Sequence, residues 1–135
     1  MLERTRKMFG HFKKRTNSHQ EGLREDFDKL MSSLNRGNPT VRMVVGHSIN
    51  IVNTAFVARF GRLDTFRNLP KDEKLKYIAS LTKAEELASK DHPEASVAFV
   101  LFKMWIAALT ESDDELFSHF SKGIAVLSRE GDLGA

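Results

Sequence analysis

The residues best suited to chemistry in this chain are basic, and they occur in two clusters. The first lies at the N-terminus, where six cations are interleaved with Phe9 and Phe12. Cations release counterions from phosphates and aromatic rings stack on bases, so this composition is typical of a segment that binds a polyanion. The second cluster lies where one predicted helix ends and the next begins. The predicted nucleic-acid contacts are Arg4, Arg6, Lys7, Lys13, Lys14, Arg15, Arg59, Arg62, Arg67, Lys71 and Lys74.

Three polar residues form a second candidate site. His47, Asn50 and Thr54 are spaced i, i+3 and i+7, which places them on one face of a helix. They could line a polar slot for a small ligand, to which a histidine would add a side chain able to change charge. The alternative is a polar seam that faces water or is hydrogen-bonded between helices. The sequence places no nucleophile or second base beside His47, and the five histidines have no metal-ligand spacing, so neither catalysis nor a metal is expected.

Lys103 interrupts the most apolar segment of the chain, from Ala95 to Leu109. Its ammonium could extend to the edge of the helix, pair with an acid such as Glu86 or Glu111, or stay buried as a neutral nucleophile. The first behaviour is the usual one. The segment is shorter than the ~20 residues that span a bilayer, so we predict a core helix and no transmembrane segment.

Charge is divided unequally along the chain. Residues 1–83 carry 17 Lys and Arg against 8 Asp and Glu, a balance of +9, whereas residues 84–135 carry 4 against 10, a balance of −6. This division predicts one cationic and one anionic surface, and a cationic surface attracts polyanions or acidic partners. The absence of cysteine excludes disulfides and thiolate chemistry and suits a cytoplasmic location.

Apolar residues recur at helical spacing in five segments, without the period-2 alternation of strands. We therefore predict an all-α single domain of about five helices, residues 18–135, preceded by a basic N-terminal arm, residues 1–17, that is helical or mobile. The helix over 40–60 is predicted to be central. A capping box at Ser112 is predicted to start the last helix, which ends near Ser128 with Gly131 just beyond. The predicted core includes Phe56, Leu81, Phe102, Trp105 and Phe120.

The two clusters favour a non-enzymatic helical binding module that docks through its basic half on nucleic acid or a nucleoprotein complex, leaving the acidic half for a protein partner. The first alternative is a protein–protein interaction adaptor or regulator that binds no nucleic acid. In that case charge only orients the complex, and apolar side chains bind a partner helix. A third is a small-ligand sensor around His47. No cofactor is expected in any of the three.

Overall fold

The structure, a computed structural model, describes the backbone of residues 21–134 and the side chains of residues 21–132. This part of the chain contains helices and no strand, which confirms the all-α single-domain prediction. The predicted N-terminal arm lies outside the described residues. The helices are α1 (residues 21–36), α2 (Pro39–Phe60), α3 (Leu63–Arg67), α4 (Lys71–Asp91), α5 (Pro93–Thr110) and α6 (Asp114–Gly134).

The described residues form one helix more than the five predicted. This additional helix is α3, which occupies a segment predicted as a connection between helices. Its five residues begin after Arg62 without a side-chain cap, so local sequence signals do not explain it. The cause is Phe66, which is fully buried and packs its ring against those of Phe56 and Phe60 at centroid distances of 5.4 and 5.0 Å. Burying a phenylalanine compensates the entropy lost in ordering so short a helix.

The central helix is α5 rather than α2. From Glu94 to Thr110 no residue of α5 is exposed, because the helix packs against α2, α4 and α6. Helices α2 and α5 are each long and apolar enough to cross a membrane. Core helices of other proteins meet the same two criteria. For α5 the core-helix prediction agrees with its burial. In contrast, α2 turns one long face to solvent, so its prediction as the central helix is wrong.

The predicted core is confirmed. Each of the five residues is at most 8% exposed. Phe56 of α2 stands among five other aromatic rings at centroid distances of 5.1 to 6.2 Å, an arrangement that joins α2 to α3, α4 and α5. Aromatic pairs of this kind stabilise a core beyond their burial alone. The five rings belong to Phe60, Phe66, Tyr77, Phe102 and Trp105.

Ser112 does not cap α6, contrary to the prediction. Its φ of 57° is left-handed, and its amide donates to the carbonyl of Leu109 while that of Asp113 donates to Ala108. These two bonds form a Schellman motif, so Ser112 closes α5. The cap of α6 is the next residue, Asp113, whose Oδ1 accepts from the amide of Leu116 at 3.0 Å.

The antiparallel helices α2 and α6 are in backbone contact at two glycines. A Cβ added to Gly46 would lie 1.9 Å from the carbonyl oxygen of Leu127, and one added to Gly131 would lie 2.3 Å from the amide nitrogen of His47. Only glycine permits this approach. Gly131 is therefore inside α6, which continues to Gly134, and the prediction that the helix ends before it is wrong.

Candidate functional site

The first basic cluster cannot be placed, because Arg4, Arg6, Lys7, Lys13, Lys14 and Arg15 lie outside the described residues. Residues 1–20 hold six Lys and Arg against one Glu, so they supply +5 of the +9 balance of the basic half. Residues 21–83 hold 11 against 7, a balance of only +4. The part of this half that the structure describes is therefore weakly cationic.

The second basic cluster is gathered at one end of the bundle, around α3. Arg59 lies over the rings of Phe60 and Tyr77, 5.0 and 5.7 Å from their centroids. Burial raises the pKa of Tyr77 to about 12, and the positive charge of Arg59 opposes this in part. Tyr77 is thus a neutral phenol at physiological pH. The cluster is completed by Arg62, Arg67, Lys71 and Lys74.

Acidic groups dilute this basic end. Arg67 is half-buried and forms an ion pair with Asp114 of α6, so it links two elements of the fold. Asp64, Asp72 and Glu73 stand between the cations in sequence. Only three members of the cluster form no ion pair with another described residue and have no aromatic ring beneath them: Arg62, Lys71 and Lys74.

The packing of α2 on α6 also interleaves the two charge halves. Arg42 of the basic half pairs with Glu130 of the acidic half, their atoms Nε and Oε2 being 3.3 Å apart, and Arg67 with Asp114 is a second such pair. Lys103 is half-buried and pairs with Glu85 at 3.0 Å, so it follows the alternative of pairing with an acid, though that acid is neither Glu86 nor Glu111, rather than the usual extension to the helix edge. The two charge halves are therefore joined by two ion pairs, Arg42 with Glu130 and Arg67 with Asp114, and the two separate charged surfaces stay a prediction.

The three polar residues of α2 are divided between two environments. Asn50 Nδ2 donates to the carbonyl oxygen of Ser128 and to Asp132 Oδ1, each at 3.0 Å, and Ser128 Oγ donates to Asn50 Oδ1. Thr54 Oγ1 donates to the carbonyl of Asn50 at 2.8 Å, and both His47 and Thr54 face solvent. Asn50 therefore joins α2 to α6, and a small-ligand slot shared by all three stays a prediction.

A groove of about 370 Å³ lies between α2, α5 and α6, and sequence reasoning did not find it. From the contact at Gly46 and Gly131, the two antiparallel helices separate toward the other end, where the groove opens. The aromatic side chains of Phe56, Phe102 and Trp105 contribute to its lining. The other lining residues are Ile49, Asn50, Asn53, Val57, Gly61, Leu63, Ser121, Ile124, Ala125 and Ser128.

The rim of the groove is mainly apolar and open to solvent. Val57 is 48% exposed and Leu63 is 37% exposed, while Ala125 is exposed on the α6 side, and Asn53 adds an exposed amide. Deeper in the groove, Trp105 Nε1 donates to Ser121 Oγ at 2.8 Å, and that hydroxyl donates to the carbonyl of Phe117. The described lining includes no acid, base, amine or phenol. Such a surface can bind apolar groups.

No family model, characterised protein or solved structure matches this chain. Among the described residues, no group of three or more histidine, aspartate and glutamate side chains is placed to hold a metal ion. Function must accordingly be argued from the groove and the basic end themselves.

Proposed function

We propose that this protein is a non-enzymatic adaptor that binds an apolar segment of a partner protein in the groove between α2, α5 and α6. The observation that carries the proposal is an apolar groove whose rim, Val57 and Leu63, is itself apolar and exposed. Its volume is within the range of ligand sites, roughly 300–1,000 Å³. Exposed apolar residues at the rim extend the apolar surface beyond the groove. A partner helix that lies along the groove needs such a surface to cover its apolar face.

The position of the basic end suggests the chemistry of the partner. Gly61 and Leu63 line the mouth of the groove, and the exposed Arg62 lies between them in the chain. Arg59 is exposed one turn earlier. A partner helix with apolar residues at i, i+3 and i+7 and acidic residues at one end would match both features. In this interpretation the cations orient the partner and increase its association rate, while the groove supplies the affinity.

Trp105 provides a direct assay, because it is the single tryptophan and it lines the groove. We expect a synthetic amphipathic helical peptide with an acidic end to change the emission of Trp105 in a saturable titration. Val57→Glu places a charge on the rim and Ala125→Phe fills the groove, so each should weaken peptide binding about 10-fold or more, which corresponds to about 1.4 kcal/mol.

Leu87→Glu is the matched control. Leu87 is an exposed leucine of α4 that does not line the groove, so the same kind of change there should leave the titration unaltered. The same peptide with lysines in place of its acidic end should bind more weakly. Equal loss of binding in Leu87→Glu and Val57→Glu, or no binding by any peptide of the series, would contradict the adaptor proposal.

A second candidate function is docking on nucleic acid. It is favoured by the N-terminal cluster and by three cations of the basic end, Arg62, Lys71 and Lys74, which form no ion pair with another described residue. If it is correct, affinity for an oligonucleotide should fall with salt by a slope of roughly 0.7 to 0.9 per neutralised phosphate. Changing Arg62, Lys71 and Lys74 together to alanine should weaken binding and flatten that slope. Arg67 is left unchanged because its ion pair with Asp114 contributes to the fold.

The control for this experiment removes the same charge elsewhere. Lys83, Lys90 and Lys122 are exposed and lie outside the basic end, so their joint replacement by alanine should change binding much less. Labelled single- and double-stranded oligonucleotides should be titrated at two salt concentrations. Absence of binding to either near 0.15 M, roughly physiological ionic strength, would remove nucleic acid as a ligand.

A further inference from the structure

The face of α2 directed away from the core carries no lysine, arginine, aspartate or glutamate over its whole length. Solvated faces of helices ordinarily carry charged residues, as α4 does with Lys83, Glu86 and Lys90. In α2 the exposed positions include Ile51, which is 59% exposed. We call this surface the outer face; its residues are Thr40, Met43, Val44, His47, Ile51, Thr54, Ala55 and Ala58, all of them exposed.

The outer face is distinct from the groove. None of its residues lines the groove, and it lies opposite the buried side of the helix, formed by Val45, Ile49, Val52 and Phe56. A partner bound in the groove therefore leaves the outer face uncovered. An exposed apolar strip of this length is a common mark of an interaction site.

The spacing on the outer face is that of a helix-pairing seam. Val44, Ile51 and Ala58 recur every seven residues, the repeat at which two helices stay in contact. The sizes of the side chains along the outer face are also complementary between two antiparallel copies of α2. If a second copy of α2 runs antiparallel about a two-fold axis at Ile51, then Val44 faces Ala58 of the second copy and His47 faces Ala55. On either side of the axis a larger side chain thus meets a smaller one, as close packing of two helices favours, and the two copies of Ile51 meet on the axis.

Charge favours the antiparallel arrangement over the parallel one. Arg59 and Arg62 lie at the C-terminal end of α2. Near the N-terminal end of α2, Arg42 holds Glu130 of α6, while Asp132 lies beside the middle of α2, where Asn50 donates to it. Antiparallel pairing keeps the arginine pairs of the two copies at opposite ends and brings each pair toward the end of the other copy that holds Glu130. Parallel pairing would instead bring the four arginines of the two copies together, at a cost in repulsion.

From these observations we propose that the protein self-associates into a two-fold dimer through the outer face of α2, with antiparallel helices and Ile51 on the axis. The partner for this surface is a second copy of the chain, so the proposal goes beyond the binding function of the groove. A helix of 19 residues, Thr40 to Ala58, is only about 28 Å long at ~1.5 Å per residue. It buries less than the ~800 Å² per partner of a standard interface. The dimer is accordingly weak and forms at high protein concentration.

The absence of native cysteine makes the register directly testable. The experiment mildly oxidises three single-cysteine variants at about 0.5 mM protein: Ile51→Cys, Val44→Cys and Ala58→Cys. Because a disulfide needs Cα atoms within roughly 4.4–6.8 Å of each other, each cross-link identifies residues that face each other in the dimer. Ile51→Cys should cross-link to itself. Val44→Cys and Ala58→Cys should each cross-link poorly alone and efficiently when mixed. Leu87→Cys, similarly exposed on α4, is the control and should stay monomeric.

Equilibrium sedimentation tests the association without a covalent bond. The full-length protein should show a monomer–dimer equilibrium below about 1 mM, and Ile51→Glu should remove it, whereas Leu87→Glu should not. Since Ile51 is exposed, its replacement leaves the fold intact, and unchanged circular dichroism would verify this.

A wild-type monomer at every concentration, as expected if residues 1–20 of the same chain cover the face, would overturn the proposal. So would Val44→Cys cross-linking to itself as readily as it does to Ala58→Cys. The Trp105 peptide titration should be the same in Ile51→Glu and wild type, so failure of the dimer and failure of the adaptor function are distinguishable.

Discussion

Gly46→Ala is expected to disrupt the packing of α2 on α6 and to destabilise the protein strongly. The added Cβ would lie 1.9 Å from the carbonyl oxygen of Leu127 and 2.9 Å from the amide nitrogen of Gly131. Both obstacles belong to backbone, so no side-chain rotation relieves the overlap and the helices must move apart. Overpacking usually costs ~1–3 kcal/mol, and a clash with backbone should cost at least the upper value. That is a large part of the ~5–15 kcal/mol that stabilises a domain.

Gly22→Ala is the matched control, because it makes the same change at a helical position that no other atom faces. A Cβ at Gly22 would have no atom within 4 Å. There alanine should stabilise α1 by up to about 1 kcal/mol through its higher helix propensity. Urea unfolding followed by circular dichroism at 222 nm measures both variants. A Gly46→Ala protein as stable as wild type would show that the two helices do not meet at this glycine pair, and the groove that opens beyond it would lose its structural basis.

The sequence predicts the helices well because their signals are local. Asn38, with Pro39 after it, begins α2, and its side chain accepts from the amide of Thr40 as a cap should. The Ser112 error is also local in origin: serine fits both a cap and a left-handed position, and the chain uses the second. The short helix α3 could not be predicted, because it depends on burying Phe66 against rings of α2.

The sites depend on contacts between residues far apart in the chain, and these could not be predicted. Helical periodicity identifies the apolar face of α2 but not the neighbouring helix that covers it. The sequence therefore predicts α2 as the central helix of the bundle. Its real neighbour is set by Gly46 and Gly131, 85 positions apart. That crossing forms the groove on one side and leaves the outer face bare. It also brings Arg42 to Glu130, an ion pair between the two charge halves that the sequence could not predict.

Phe56→Ala should cause the second large loss of stability. The ring is 1% exposed and packs against aromatic groups of α3, α4 and α5. Truncating such a residue typically costs ~3–5 kcal/mol, since apolar transfer energy and a cavity penalty add. Val57→Ala, at the next position, is the control: Val57 is 48% exposed and its truncation should cost below about 1 kcal/mol. Thermal unfolding of the two variants, followed by circular dichroism, compares them directly.

The same pair of variants tests how α2 is oriented, on which both proposals depend. Phe56 faces the core, Val57 the groove, and Ala58 the outer face, so three consecutive residues identify three environments. If Phe56→Ala were as stable as wild type and Val57→Ala were strongly destabilised, α2 would be rotated by one position, about 100°. The groove rim would then be buried, and the seam would no longer point away from the core. If Phe56→Ala is the more destabilised by several kcal/mol, Val57 and Ile51 lie on separate exposed surfaces, as peptide binding and self-association require.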